Sequence, residues 1–319
     1  MVKKRILILG GVGFIGTNLI KYYLNKDYEI HATHHNTSPR FTNSKIVYYN
    51  TDLTKENEVI ELFRSIKPHI VLHAAAVTTG SKDVLEQPYL HVTDNAIMNS
   101  LIFRECYLQK IEHCIFLSCT VMYQSKDFAQ KESDWNANDP IYPNYLGVGS
   151  MKVFSEKMCD FYSRLGDTKF TAIRHSNVFG PHDKFDLNRC HLVPAMIRKV
   201  AEDEKIQVNG GKENEPRRDI IYIDDLCSFI DLCIKKQKEK YELINCGYGQ
   251  AFSVTDIIKL IQEINKCNKE IVYNVSKPNI PTTVVLDCNK ANSLLGWIPK
   301  TKIKDGLKKT LDWFEKNVR

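Results

Sequence analysis

No apolar run in the 319-residue sequence approaches the ~18 residues a membrane-spanning helix needs, so no contact with a membrane is expected. The ten cysteines include no Cys-x-x-Cys pair, which removes the usual signature of a zinc or dithiol site, and no metal is expected. Several of them (Cys106, Cys114, Cys227, Cys233) lie in apolar stretches, the pattern of buried, reduced thiols, and this points to a cytoplasmic or equally reducing location. No signal-type apolar segment precedes the first strand-like run, which begins at residue 4. Charge of one sign is also scarce in clusters. The net charge is a mild +6 and the lysines are scattered, so a nucleic-acid partner is not expected, while an anionic small molecule is compatible.

What is present is alternation. The β-rich runs RILIL (5–9), YEIHAT (28–33), KIVYYN (45–50), HIVLHAA (69–75), HCIFLS (113–118) and KFTAIR (169–174) are separated by helical periods, at about 14–25, 55–66, 91–109 and 148–165. This predicts a parallel sheet with helices on both faces, joined by right-handed crossovers. After residue 175 the pattern loosens through NVFGPHDKF and the polar loop GGKENEPRR (210–218), so a boundary is expected near 175. DIIYIDDLCSFIDLCIKK (219–236) reads as a strand followed by a helix capped by Asp224 or Asp225. The chain is therefore expected to return to the first lobe, and the lobes to interleave.

RILILGGVGFIG sets Gly10, Gly13 and Gly16 between an apolar strand and a helix that would bury Ile15, Leu19 and Tyr22. Glycines suit a tight turn where a pyrophosphate approaches backbone N–H groups at a positive helix N-terminus, so dinucleotide binding is the reading. An acid ending the second strand would accept ribose hydroxyls and repel a 2′-phosphate, but HATHHNTSPR has none from His31 to Arg40. Arg40, His34 or His35 could meet a phosphate there, so NADP(H) is expected over NAD(H).

The spacing Gly10-x-x-Gly13-x-x-Gly16 resembles that of the short-chain dehydrogenases/reductases. GGVGFIG resembles their extended branch, the NAD-dependent epimerases/dehydratases of nucleotide sugars. The likeness continues at Asp52-Leu53, His73-Ala74-Ala75-Ala76, Asn95, Asn177-Val-Phe-Gly180-Pro181 and Leu295-Gly296-Trp297, so it covers nearly the whole chain. It implies an α/β, Rossmann-type doubly wound parallel sheet with a smaller C-terminal substrate-binding lobe. The dinucleotide-binding domain would span 1–175 with part of 219–246, and the nucleotide-sugar domain 176–319. It also implies a cofactor held by Gly10, Gly13, Phe14, Ile15, Gly16 and Asn95, with Asp52 and Leu53 at the adenine and Ala74, Ala75 and Ala76 beside the nicotinamide.

Members of that family end the fifth strand with a Ser or Thr four residues before a Tyr; here that place falls on Cys119, flanked by Ser118 and Thr120. Either Cys119 or Thr120 would hold the sugar C4 oxygen. Their next helix reads Tyr-Gly-x-Ser-Lys with a Glu four residues on. Gly149, Lys152 and Glu156 fit that frame, Lys152 as the ribose-binding Lys, but Val148 stands where the Tyr would be. Three readings stay open: Tyr145, three residues upstream, reaches the site; Lys152, Cys119 or a water supplies the proton; or Tyr145 packs in a loop and the hydride chemistry has drifted. Family dehydratases carry Asp-Glu where this chain has Thr120-Val121, so dehydration is not expected.

GPHDKFDLNRCHLVPAMIRK (180–199) and EPRRDIIYIDDL are most similar to the GDP-L-fucose synthase branch, which epimerises and reduces a GDP-4-keto-6-deoxymannose. Its acid/base His maps onto His191 and its Cys onto Val121, with Cys119 on the same face if the strand persists. Arg218 matches a diphosphate-gripping Arg, the alternative being a surface ion pair with the 213–219 carboxylates. Asn177, Val193 and Lys199 fall at substrate-binding positions. A basic pair of that branch is absent at Thr283-Val284. The resemblance implies a C4 reductase and/or epimerase of a nucleotide-diphosphate keto-sugar, working as a homodimer. The alternatives are a cofactor- or nucleotide-sugar-binding protein with depleted hydride chemistry, and an isomerase using a tightly held cofactor.

Overall fold

Period-two alternation along the strands decides what each face of the sheet buries. In β1 (Lys4–Leu9), Ile6 and Ile8 enter one core while Leu7 and Leu9 enter the other. The computed structural model describes residues 3–39, 41–78, 86–277 and 279–319. β2 (Tyr28–His34), β3 (Ile46–Asn50), β4 (Ile70–His73), β5 (His113–Leu117) and β6 (Lys169–His175) run parallel to β1.

The chain then builds a second lobe. There β7 (Asn177–Phe179), β9 (Arg217–Tyr222), β11 and β13 (Ala251–Ser253 and Thr283–Val284) form one small sheet, and β8 and β12 (Ile206–Asn209 and Ile271–Asn274) pair separately. Between these, β10 (Tyr241–Cys246) returns to the first sheet beside β6. The seven-stranded order is β10-β6-β5-β4-β1-β2-β3, which reverses between β1 and β4 and opens a crevice at the carboxyl ends of the strands.

Helices α2 (Glu56–Ile66), α3 (Thr93–Leu108) and α4 (Leu146–Leu165) cover one face over Phe63, Phe103, Phe116 and Phe170. The opposite face packs on α1 (Phe14–Tyr23) and α6 (Ile223–Lys236), and its core runs without a break into the second lobe. That lobe adds α5 (Leu192–Glu202), α7 (Val254–Ile264), α8 (Asn289–Leu295) and α9 (Ile303–Asn317). Among the described residues no helix is long and apolar enough to cross a membrane. All ten cysteines are free thiols and seven are buried.

Two local expectations are corrected. Asp224 and Asp225 do not cap α6: the helix starts one residue earlier, after Tyr222, and both acids lie in its first turn. The Asp225 carboxylate instead accepts the N–H groups of Lys300 (2.9 Å) and Thr301 (3.1 Å), and so pins the segment leading into α9. The fifth strand also does not persist to Val121. It ends at Leu117, and the Tyr123 N–H turns back to the Thr120 carbonyl at 3.0 Å, so Cys119 and Val121 share no strand face.

Burial holds the imidazoles of His73 and His113 at about 3, far below the ~6.5 of an unfolded histidine. Both are neutral when folded and take up a proton on unfolding below pH 6.5. Their contribution is thus present above 6.5 and lost as pH falls toward 3, by about 1.4 kcal/mol per pH unit per histidine. Urea denaturation should show His113→Gln losing less stability than wild type between pH 7 and pH 5; equal losses would contradict the assignment.

Candidate active site

The loop between β1 and α1 is built by close approach. Gly10 has φ +76°, and a Cβ there would lie 2.7 Å from the Ala75 Cα; a Cβ on Gly16 would overlap the Gly10 carbonyl. Backbone thereby packs on backbone, with the Ala74 N–H donating to the Leu9 carbonyl at 3.1 Å. Gly13 precedes α1 without a capping side chain and no acid lies in the first turn, so the N–H groups from Phe14 and Ile15 onward are left for an anion. Asn95 fixes the adjoining wall: its Oδ1 accepts the Val77 N–H (2.9 Å), and its Nδ2 donates to the carbonyls of Val77 and His91 (both 3.0 Å). Ala76 is exposed on that wall.

At the far end of the crevice, Asp52 Oδ1 accepts the N–H (3.0 Å) and hydroxyl (2.7 Å) of Thr54, which holds its carboxyl below the usual range, and Leu53 is buried beside it. His34, ending β2, has a buried Nδ1 with no hydrogen-bond partner. Arg40 lies outside the described residues.

The ends of β5 and β6 meet α4. Lys152 Nζ donates to the Leu117 carbonyl at 2.7 Å and lies 4.8 Å from the centre of the Phe116 ring. Burial lowers its pKa, while Cys119 and Glu156 act in the opposite sense. Burial raises the Cys119 thiol, which Lys152 and the Val121 N–H partly offset. Val148 is half-buried one turn before Lys152, and Thr120 is half-buried in the turn after β5. Tyr145 is the residue just before α4. Burial raises its phenol, the Arg218 guanidinium beside it acts in the opposite sense, and Cys119 and Tyr142 add to the rise.

Behind Cys119, Ser118 is no candidate for substrate contact, because it is fully buried and donates to Glu156 at 2.6 Å. Glu156 forms a two-pronged pair with Arg174 at 3.0 and 2.7 Å, and Arg174 also donates to the Tyr123 hydroxyl at 3.0 Å. Sequence reasoning missed Arg174 and the next residue, His175. A charged residue inside an apolar strand, with Glu156 in the preceding helix available to pair with it, was the available signal. The His175 Nδ1 lies 2.8 Å from the Ser176 carbonyl, and burial holds the imidazole at about 4, with Lys152 and His191 as further charged neighbours.

From the second lobe, His191 opens α5 with an exposed edge, yet its surroundings lower its pKa, helped by Lys184 and His91. Val193 is buried in the first turn of α5, and Asn177 donates to the Asp219 carbonyl at 3.2 Å. Lys199 donates to the Gln207 carbonyl at 2.7 Å. Arg218 does not pair with the 213–219 carboxylates; its fork bonds the carbonyls of Thr282 and of Ile280 (3.0 Å) and the phenol of Tyr145. Asp219 is occupied by the N–H groups of Tyr248, Gly249 and Leu286. Lys184 Nζ reaches across to the Thr78 carbonyl at 3.2 Å.

A glycine cradle at a sheet switch point, faced by a second lobe carrying His and Arg, defines the class of dinucleotide-binding α/β enzymes whose substrates are gripped by an added lobe. Residues 6–247 match the NAD dependent epimerase/dehydratase family, and the chain belongs to it. It is 28% identical to a GDP-L-fucose synthase of Sinorhizobium fredii (strain NBRC 101917 / NGR234), covering 99% of this chain and 96% of that protein. It is also 28% identical to a GDP-L-colitose synthase of Yersinia pseudotuberculosis, covering 98% and 99%. Among solved structures, the UDP-glucose 4-epimerase of Thermotoga maritima with UDP-glucose superposes with a TM-score of 0.88 at 26% identity, covering 99% and 100%. Relatives of this chain are thus nucleotide-sugar epimerases and reductases.

Removing one partner of the Arg174–Glu156 pair leaves a buried charge, so Glu156→Leu should cost about 3–5 kcal/mol in denaturant unfolding. Glu156→Leu with Arg174→Met should recover much of that loss. A double variant as unstable as the sum of the singles would mean that the two charges are not coupled.

Proposed function

We propose that the protein is an NAD(P)-dependent enzyme, a C4 reductase and/or an epimerase of a nucleotide-diphosphate keto-sugar. One observation carries the reading: Lys152 is held at the carboxyl end of β5, beside Cys119, in the crevice that begins at the Gly10–Gly16 cradle. The cradle fits a dinucleotide, since a Cβ at Gly10 or Gly16 would fill it and the α1 N-terminus has no capping side chain. Such a cofactor supplies or takes a hydride at its nicotinamide. In this assignment Gly10, Gly13, Phe14, Ile15 and Gly16 receive the pyrophosphate, Asp52 and Leu53 the adenine, Ala74, Ala75 and Ala76 the nicotinamide side, and Lys152 the ribose. Cys119 or Thr120 faces the sugar C4 oxygen, His191 handles a proton, and Asn177, Val193, Lys199 and Arg218 hold the substrate.

The preference for NADP(H) is supported by the buried, partnerless Nδ1 of His34 and by the lack of an acid after β2. The domain division at 175, with the return through α6 and β10, and a reducing, cytoplasmic setting complete the reading. Val148 in the place of the family Tyr favours one rival, a binding protein with depleted hydride chemistry. Fluorescence titration should give tighter binding of NADPH than NADH, and nucleotide 4-keto-sugars should oxidise NADPH in an absorbance assay. Tight cofactor binding with no turnover on any such sugar would leave the rival standing.

A homodimer is part of the proposal. Ile97 and Leu108 on α3, with Phe154, Phe161 and Leu165 on α4, are each between 41% and 56% exposed, and recur at helical spacing on two adjacent helices. Sedimentation should find wild type dimeric and Phe154→Glu with Phe161→Glu monomeric; a monomeric wild type would refute it.

A further inference from the structure

Reduction of a ketone needs a proton for the oxygen as well as a hydride for the carbon, and Val148 can give none. Tyr145 and Lys152 are seven residues apart, close to two helical turns, so both project from nearly one face of α4 with Val148 between them. Cys119 is a common neighbour of both side chains, acting on the Lys152 ammonium and on the Tyr145 phenol. The phenol thus shares with the lysine the neighbourhood of Cys119, just past the end of β5. Its partner there is not the lysine but Arg218, which arrives from β9 of the other lobe. Carbonyls of Thr282 and Ile280 hold that guanidinium in place.

We propose that Tyr145 is the proton donor of this site, with Arg218 as the cation that stabilises the phenolate it leaves. The inference rests on the keto-sugar reading above. In the step, the keto carbon accepts a hydride from the reduced nicotinamide dinucleotide while the carbonyl oxygen takes the phenolic proton and becomes a hydroxyl. The phenolate that remains is paired with Arg218 until solvent returns the proton. Burial raises the Tyr145 phenol, so it rests protonated, the state an acid needs and a base does not. Arg218 acts through the phenol and through any phosphate it grips, since its fork retains donors beyond those committed to the carbonyls of Arg217, Thr282 and Ile280.

Two measurements test this, one without turnover. With NADPH and a nucleotide 4-keto-sugar, Tyr145→Phe should lower kcat by about 100-fold or more while the NADPH dissociation constant stays within about threefold. Adding Val148→Tyr to that variant should restore part of the loss. Wild-type kcat in Tyr145→Phe would overturn the proposal, whereas a wild type inactive on every keto-sugar would overturn the functional reading instead. Tyrosinate absorbance near 295 nm, wild type minus Tyr145→Phe, follows this phenol alone in either case. Arg218→Gln should move its titration to higher pH by about one unit or more, and an unchanged curve would overturn the pairing.

Discussion

The buried pair between Arg174 and Glu156 is the constraint on which the site depends. Arg174 is 1% exposed and Glu156 3%, so neither charge has water to fall back on; they are satisfied by each other, with Ser118 donating to Glu156 and Arg174 donating to the Tyr123 hydroxyl and the Glu132 carbonyl. Glu156 sits one turn beyond Lys152 on α4, and Arg174 is the penultimate residue of β6, just before His175. The pair therefore sets how far α4 can slide along the sheet, and with it where the Lys152 ammonium meets Leu117. Tyr123 carries the network on to Asn245 of β10 at 2.9 Å, and Asn245 in turn donates to the carbonyls of Gln130 and Asp287. A single ionic contact thus joins β5, α4, β6, β10 and the loop below the site. Apolar residues of the same volume would be as stable or more so, but would not fix one register so strictly.

Much of this was legible in the sequence because it follows from period and punctuation. Strand and helix positions in the first lobe lie within about two residues of expectation, since alternating apolar runs and glycine turns define them locally. A return of the chain toward the first lobe was expected from DIIYIDDL onward; β9 joined the smaller sheet, and α6 leads to β10 of the first sheet, a strand the sequence reading did not name. What could not be read were contacts made across long sequence separations. Asp225 looked like a cap because acids at helix starts usually are, but residues 300–301 compete for its carboxylate. Cys119 and Val121 looked alternate because strands are, but the Thr120–Tyr123 turn intervenes. Arg218 matched a diphosphate-gripping Arg, with a surface ion pair as the alternative; the acids nearby do not hold it, and its partners from other elements are two carbonyls and a phenol.

The two lobes share one apolar core beneath the crevice, from Ile6 and Ile8 of β1 through Ile221 of β9 to Phe314 of α9. Above that core they touch through polar groups: Lys184 on the Thr78 carbonyl and Arg218 on Tyr145. A floor of close-packed side chains resists shear, whereas hydrogen bonds at the mouth exchange readily with a ligand. Opening the crevice is thus a matter of releasing the polar contacts, with the floor left intact.

Electrostatics sets what enters. Desolvation lowers the pKa of Lys152, Lys184 and Arg218, which means the fold has brought cations out of water with fewer anions than they call for. Carbonyl oxygens carry only partial charge, Glu156 is committed to Arg174 and Asp219 to three backbone N–H groups, and burial pushes Asp183, the acid beside Lys184, up to about 7. Undercompensated cations in a low-dielectric crevice attract a multiply charged anion more strongly than the same groups would in solvent. The helix N-terminus at Gly13 adds a fourth positive end without a side chain of its own to neutralise it. A dinucleotide pyrophosphate at one end and a second diphosphate at the other would restore the balance that folding alone leaves incomplete.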